Sequence, residues 1–92
     1  MTSETIKIGD IFTNGMNFFE VIATKSKKTV TVRQVCGRRV DSSCIVPCKG
    51  EFMKYAEPRT RRVTGNRIKV GAWDTAYLWD GLPMEYDDPQ FV

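Results

Sequence analysis

A run of alternating residues from Thr29 to Val35 constrains this chain more than any other feature of its sequence. Within it, Val30 and Val32 alternate with polar or charged residues. This period of two, built from β-branched residues, predicts a strand and excludes a helix. An aromatic and β-branched run, Asn17–Thr24, precedes it, and the polar stretch Lys25–Lys28 lies between the two. The two runs are therefore predicted to form a β-hairpin.

The rest of the chain shows further short apolar runs separated by turn residues. Asn14-Gly15, Gly65-Asn66 and Asp80-Gly81 are turn signals, and Gly37-Arg38-Arg39 indicates another turn. This pattern predicts one mostly β domain over residues 1–92. The expected fold is a small, partly open barrel of about five to six strands, SH3-like as first choice and OB-like as second. A closing hairpin is expected over 76–86, and residues 87–92 are expected to form a frayed acidic tail.

The chain of 92 residues contains no histidine. It therefore lacks the commonest general acid or base and the commonest metal ligand, and no histidine-based triad can form. There is also no glycine-rich phosphate loop, and Asp80 fits the first position of a turn better than a catalytic role. The sequence thus argues against an enzyme and predicts neither catalytic residues nor a cofactor.

The cysteines Cys36, Cys44 and Cys48 are the other candidates for chemistry. Only Cys44 and Cys48 have the spacing of about two to four residues that is common in zinc sites. A metal site would therefore need a carboxylate such as Asp41 or Glu51. A disulfide is disfavoured in a reducing cytosol. Reduced thiols without a metal are expected, and metal binding by the three cysteines is left open.

Charge is distributed unevenly along the chain. Residues 1–24 carry a net charge of −2, residues 25–69 carry +10 and residues 70–92 carry −5. The basic middle predicts contact with a polyanion, because clustered cations create an attractive field for phosphates. The alternative interpretation is that the acidic block neutralises the basic one in the folded protein.

Clustered basic residues are the candidate binding residues. The lysines at 25–28 and Arg38-Arg39 lie at predicted turns, and hairpin tips of a small barrel can meet on one rim. Arginine suits phosphate because its fork of donors matches the phosphate oxygens. Trp73 is the aromatic residue expected to be exposed, where it could stack on a base or anchor a protein interface, whereas Trp79 is expected in the core. The predicted set for nucleic-acid or partner binding is Lys25, Lys27, Lys28, Arg38, Arg39, Arg61, Arg62 and Trp73.

Several short segments, spread through most of the length of the chain, form a combined pattern. They are Ile8–Phe12, Asn17–Ile22, Lys28–Arg33, Pro47, Lys49, Phe52, Arg62-Val63 and, most specifically, the AYLWDG-P motif of Ala76–Pro83, with Tyr86 after it. Together they resemble a family of small uncharacterised proteins found in phages and mobile elements of Gram-positive bacteria. The three cysteines depart from that family. The resemblance implies a phage or mobile-element origin and brings no assigned activity.

Two functions from different classes fit these observations. The first is a non-catalytic phage or mobile-element module that contacts nucleic acid or a nucleoprotein complex through a basic rim. The second is a protein-binding inhibitor of a host defence system, of the anti-CRISPR type, that mimics phosphates with its acidic C-terminal region. With no apolar run of spanning length and no signal-like N-terminus, the chain is expected in the cytoplasm of the host cell.

Overall fold

The computed structural model describes residues 6–41 and 43–85. Within this part of the chain every helix or strand assigned is a β-strand, which confirms the predicted mostly β class. The predicted tail over 87–92 lies outside the described residues. The described residues contain no helix with the length and hydropathy needed to cross a membrane. The strands are β1 (Ile11–Thr13), β2 (Phe18–Ser26), β3 (Thr29–Arg39), β4 (Cys44–Phe52), β5 (Arg59–Arg62), β6 (Arg67–Gly71), β7 (Asp74–Leu78) and β8 (Met84–Glu85).

The strands form an antiparallel sheet in the order β6-β7-β1-β2-β3-β4-β8. Strand β3 is long enough to have two partners on one side: Thr29–Val32 pair with β5, and Val35–Arg39 pair with β4. Strands β1, β2, β3, β5, β6 and β7 enclose a common core and curl into a small barrel. The barrel is partly open, as predicted, because the described backbone has no ladder between β5 and β6. Strands β4 and β8 extend the sheet beyond it.

A side chain bridges the open seam between β5 and β6. Nη1 of Arg59 donates to the carbonyl oxygen of Val70 at 3.1 Å. At the turn that joins the two strands, Thr64 and Arg67 exchange backbone hydrogen bonds of 2.9 and 3.2 Å. The carbonyl of Asn66 in the same turn accepts from the amide of Leu78 at 2.7 Å. The seam is therefore held by an arginine side chain and a turn.

Two apolar clusters lie on opposite faces of the central strands. Adjacent residues such as Ile11 and Phe12 enter different clusters, because successive side chains of a strand point to opposite faces. The barrel core consists of Ile6, Phe12, Val21, Val30, Val32, Val63, Ile68, Val70 and Ala76. The second core consists of Ile11, Phe18 and Val35, with Ile45, Phe52, Trp79 and Met84 packed against it. The central strands thus form the middle layer of the molecule.

The predicted hairpin of β2 and β3 is confirmed. The two strands pair from Phe18 opposite Val35 to Ser26 opposite Thr29, and Lys27-Lys28 forms the turn. Val30 and Val32 face the barrel core and are each 1% exposed. The alternation that predicted the hairpin therefore also identified the residues that its inner face buries.

The segment Gly37-Arg38-Arg39 is not a turn, contrary to the prediction, but the end of β3. Gly37 lies opposite Pro47 of β4, and this pairing outweighs the low strand propensity of glycine. Pro47 lies inside β4. It is tolerated there because, in the described chain, the edge of β4 that faces β8 is paired only at Cys44 and Ile45. A missing N–H is tolerated on such an edge.

The closing hairpin predicted over 76–86 is also wrong. Strand β7 pairs with β6 and β1, whereas β8 pairs with β4. Asp80-Gly81 does form a turn, in which the amide of Leu82 donates to Asp80 Oδ1 at 2.9 Å and Gly81 has a φ of +89°. This turn carries the chain from the barrel to the outer end of the sheet, where Met84 pairs with Ile45.

Candidate functional site

Two basic segments from different parts of the chain meet at one end of the barrel. Thr29 at the start of β3 pairs with Arg62 of β5. The amide of Val63 donates to the carbonyl of Lys28 in the β2–β3 turn at 2.6 Å. This pairing brings together five of the predicted binding residues, namely Lys25, Lys27, Lys28, Arg61 and Arg62.

Strand β6 adds two cations that are not among the predicted binding residues. Arg67 and Lys69 line a cleft of about 280 Å³ together with Arg61 and Arg62. Thr64, Ile68 and Thr75 complete its lining, so none of the described carboxylates faces it. The basic residues of β6 are visible in the sequence, but only the β5–β6 turn shows that both strands border one cleft. We define the basic surface as Lys25, Lys27, Lys28, Arg61, Arg62, Arg67 and Lys69.

The basic surface has no anionic partner within the described chain. Arg61 is half-buried, and its Nη1 donates to the carbonyl of Thr60 at 2.9 Å. The other six side chains are exposed and form no hydrogen bond or ion pair in the described structure. Like charges held close together repel one another, and a bound anion relieves that repulsion. The surface therefore favours a ligand that carries several negative charges.

The remaining predicted binding residues lie elsewhere in the fold. Arg38 and Arg39 are at the far end of β3. Arg38 is ten residues after Lys28, which corresponds to about 33 Å along a strand at about 3.3 Å per residue. Trp73 is fully exposed, as predicted, in the β6–β7 turn. That turn lies near Arg59, at the opposite end of the barrel from Lys28. The predicted set thus occupies three places, and only the basic surface gathers cations from several segments.

A groove of about 580 Å³ opens at the opposite end of the barrel. Phe19, Val32 and Val70 provide its apolar floor. Arg61 lines both the groove and the basic cleft, so this one side chain is common to the two cavities. Cavities of this size are typical of small-ligand sites. Its polar rim consists of Asn14, Asn17, Gln34, Lys54, Glu57, Arg59, Arg61 and Asp74.

The loop after β1 forms one wall of the groove. Asn14 Oδ1 accepts from the amides of Met16 and Asn17 at 3.0 and 2.8 Å, and Asn14 Nδ2 donates to Asp74 Oδ2 at 2.7 Å. Gln34 Nε2 on β3 donates to Asn17 Oδ1 at 3.1 Å. These contacts hold the amide side chains at the rim. The Asn14-Gly15 turn was the only sequence signal for this wall, and it did not indicate a groove.

The segment 53–57 forms the facing wall and carries an exposed aromatic ring. The amide of Met53 donates to the carbonyl of Gln34, and Arg33 Nε donates to the carbonyl of Ala56, both at 2.9 Å. Tyr55 between them is 87% exposed, with Lys54 Nζ 5.6 Å from its ring centroid. The ring is therefore presented to solvent by a segment tied to β3 on both sides.

The cysteines and their neighbours show no metal centre in the described chain. Cys36 and Cys48 line a shallow cleft with Glu51, and Cys36 Sγ lies 3.5 Å from Met53 Sδ. Asp41 is used in the β3–β4 turn, where the Ser43 amide donates to it and lowers the pKa of its carboxyl. No three His, Cys, Asp or Glu side chains among the described residues lie close enough to hold a metal ion.

The described carboxylates of the acidic C-terminal block do not gather. Asp74 accepts from Asn14 at the groove, and Asp80 accepts from Leu82 within its own turn. Asp87 and Asp88 lie outside the described residues. Neither Asp74 nor Asp80 contacts the basic surface, so this part of the block does not neutralise it.

No protein-family model matches the chain, and searches for similar curated proteins and similar solved structures find no match. The function is therefore inferred from the geometry and chemistry of the basic surface and the groove.

Proposed function

We propose that the chain is a non-catalytic module that binds the phosphate backbone of nucleic acid, free or within a nucleoprotein complex, through the basic surface. The observation that carries this proposal is the convergence of seven cations from the β2–β3 hairpin, β5 and β6. Four of them line a cleft that contains none of the described carboxylates. Lysine and arginine contacts to phosphates release condensed counterions, which drives association. Arginine adds paired hydrogen bonds to phosphate oxygens.

The proposed setting is the cytoplasm of a host cell, in line with the phage and mobile-element family that the sequence resembles. The alternative proposal, an anti-CRISPR-type inhibitor that mimics phosphates with its acidic block, has less support. Its described carboxylates, Asp74 and Asp80, are dispersed and already accept hydrogen bonds. A defence complex that contains RNA would instead meet the basic surface, as any nucleoprotein would.

Binding to labelled duplex DNA and RNA, measured by fluorescence anisotropy at increasing salt, tests the proposal. We expect binding at about 50 mM salt that weakens steeply, with a slope of about −0.9 in log K per log salt for each phosphate contacted on a duplex. If no binding is seen at low salt, the proposal is wrong.

A charge-reversal pair locates the contact. The double variant Lys27→Glu and Arg62→Glu changes the centre of the basic surface and should weaken binding by about tenfold or more, with a shallower salt slope. The control Arg38→Glu makes the same kind of change at the far end of β3 and should alter affinity by less than about twofold. Equal weakening by both would show that binding is not confined to the basic surface.

A pull-down from host lysate with and without nuclease separates the two proposals. Partners that are lost after nuclease treatment are held through nucleic acid. A protein partner that survives nuclease, and that still binds the charge-reversal variant, would favour the inhibitor proposal instead.

A further inference from the structure

We infer that the groove holds an unpaired nucleobase, so that the module prefers single-stranded nucleic acid to duplex. This inference rests on the proposed function and names the class of nucleic acid that the same site takes. It follows from where the groove lies and from the chemistry of its floor, its amides and its exposed ring.

The groove shares the side chain of Arg61 with the cleft of the basic surface. Arg61 lines both cavities, so its guanidinium can contact a phosphate between a nucleotide in the basic cleft and a base in the groove. Lys54 and Arg59 continue the cationic rim there, and Nη1 of Arg59 already donates to Val70. Of the two described acids at the rim, Asp74 accepts from Asn14 and Glu57 has no hydrogen-bond partner in the described chain.

The floor of the groove is apolar. Phe19, Val32 and Val70 line it, and all three belong to or pack against the barrel core. A phosphate or another small anion would leave this surface unused. A nucleobase offers flat apolar faces beside its polar edge, so it can cover the floor while its phosphate stays with the cations outside.

Two amides stand where the edge of such a base would lie. Gln34 Nε2 donates to Asn17 Oδ1, which uses one donor hydrogen and one acceptor of the pair. The Gln34 Oε1 acceptor and the Asn17 Nδ2 donors have no partner in the described chain. A free acceptor beside free donors matches the edge of an unpaired base, which presents donors and acceptors side by side.

The exposed ring of Tyr55 gives the groove a stacking surface. Aromatic side chains stack on unpaired bases with little sequence preference, because every base has a π-face. Bases in a duplex are already stacked and paired, so one of them would have to be extruded at a cost in free energy before it entered the groove. The expected ligand is therefore an unpaired nucleotide of RNA or DNA.

Four labelled probes of equal length test this inference: single-stranded RNA, single-stranded DNA, a duplex, and an abasic strand with the same number of phosphates. We expect at least one base-containing single strand to bind about tenfold more tightly than the abasic strand. The RNA and DNA arms show which sugar is preferred. Tyr55→Ala and Gln34→Leu should reduce this preference without weakening the binding of the abasic strand.

Met16→Ala is the matched control, because Met16 is 72% exposed in the neighbouring loop and does not line the groove. Tyr55 is also exposed, so its variant keeps the fold, and far-UV circular dichroism verifies this for each protein. If all probes bind equally, or if both groove variants retain the preference, the inference is overturned while the proposed function stands. If no probe binds at low salt, the proposed function fails and this inference fails with it.

Discussion

The guanidinium of Arg33 lies over the ring of Phe52, with 5.0 Å between Arg33 Cζ and the ring centroid. The same side chain donates from Nε to the carbonyl of Ala56 at 2.9 Å. Arg33 thereby ties β3 to both ends of the segment that carries Tyr55. This cation stabilises a wall of the groove and is separate from the basic surface.

Replacing Arg33 with Met keeps the apolar stem of the side chain and removes the cation and the donor. We expect the free energy of unfolding to fall by about 1–3 kcal/mol, because a cation–π contact and a charge-assisted hydrogen bond are lost. Urea unfolding followed by circular dichroism measures this. Arg38→Met, a control at an exposed position, should change stability by less than about 0.5 kcal/mol. Equal losses would contradict a stabilising role for Arg33.

The two tryptophans should respond very differently to replacement by Phe. Trp79 packs on Phe18 at the second core and donates from Nε1 to the carbonyl of Leu82 at 2.7 Å. Trp79→Phe should therefore lower the free energy of unfolding by about 1–3 kcal/mol. Trp73 is 100% exposed, and Trp73→Phe should change it by less than about 0.5 kcal/mol. Thermal or urea unfolding measures both variants. If both substitutions have equally small effects, Trp79 does not stabilise the second core.

Replacing Arg59, whose side chain crosses the barrel seam, should weaken the attachment of β5 to β6. Arg59→Met deletes the hydrogen bond to Val70, and we expect a loss of about 1 kcal/mol in the free energy of unfolding. Hydrogen exchange should accelerate locally in residues 59–71. Arg62→Met is the control, because the Arg62 side chain has no hydrogen-bond partner in the described chain. Faster exchange in the control, or none in Arg59→Met, would argue against this seam contact.

Alanine substitutions at two glycines distinguish the effect of backbone strain on stability from the effect of steric crowding. Gly81 has a φ of +89° with open space around an added Cβ, so Gly81→Ala should cost about 1 kcal/mol or more through strain alone. Gly37 is not in the left-handed region, and an added Cβ would lie 3.5 Å from Phe18 Cε2, an ordinary contact. Gly37→Ala should therefore be close to neutral. Unfolding midpoints of the two variants decide the order, and the reverse order would refute this account of the Asp80-Gly81 turn.

The β3–β4 turn should respond to pH through Asp41. The Ser43 amide donates to this carboxylate and lowers its pKa in the folded protein. Its contribution to stability is therefore complete above the pKa of an unfolded aspartate and is lost as the pH falls through the lower folded value. Carbon-detected NMR should show a pKa for Asp41 below the ordinary value. Asp41→Asn keeps an oxygen acceptor, so the Ser43 and Cys44 amide shifts should lose this titration.

Local sequence patterns predicted the elements whose partners are close along the chain. The predictions of the β2–β3 hairpin and of the alternation at Val30 and Val32 are correct, because side-chain alternation is readable within a few residues. The end of the chain was misassigned because β7 pairs with β1, and β8 with β4, across long sequence separations. Gly37 was misread because a glycine often marks a turn, whereas here a cross-strand partner overrides that tendency.

The candidate site also contains parts that local sequence predicts and parts that depend on long-range strand pairing. The lysines of the β2–β3 turn were identified from a turn signal, and the arginines of β5 from the clustering of basic residues in the middle of the chain. Their junction with β6 depends on the pairing of β3 with β5, which no local pattern indicates. The groove was missed because alternation shows that Val32 and Val70 are inward-facing, but it cannot show that an opening lies above them.

Strand β3 contributes Val32 to one core and Val35 to the other. A single backbone segment is therefore common to the two halves of the molecule, and neither half is a separate cooperative unit. A fragment that stops after β3 would leave Phe18 and Val35 facing water, and a fragment that starts at β4 would lack the strand that β4 and β5 both pair with. Heating should therefore unfold the chain in one transition. A substitution in one core that displaces β3 also changes the packing of the other core.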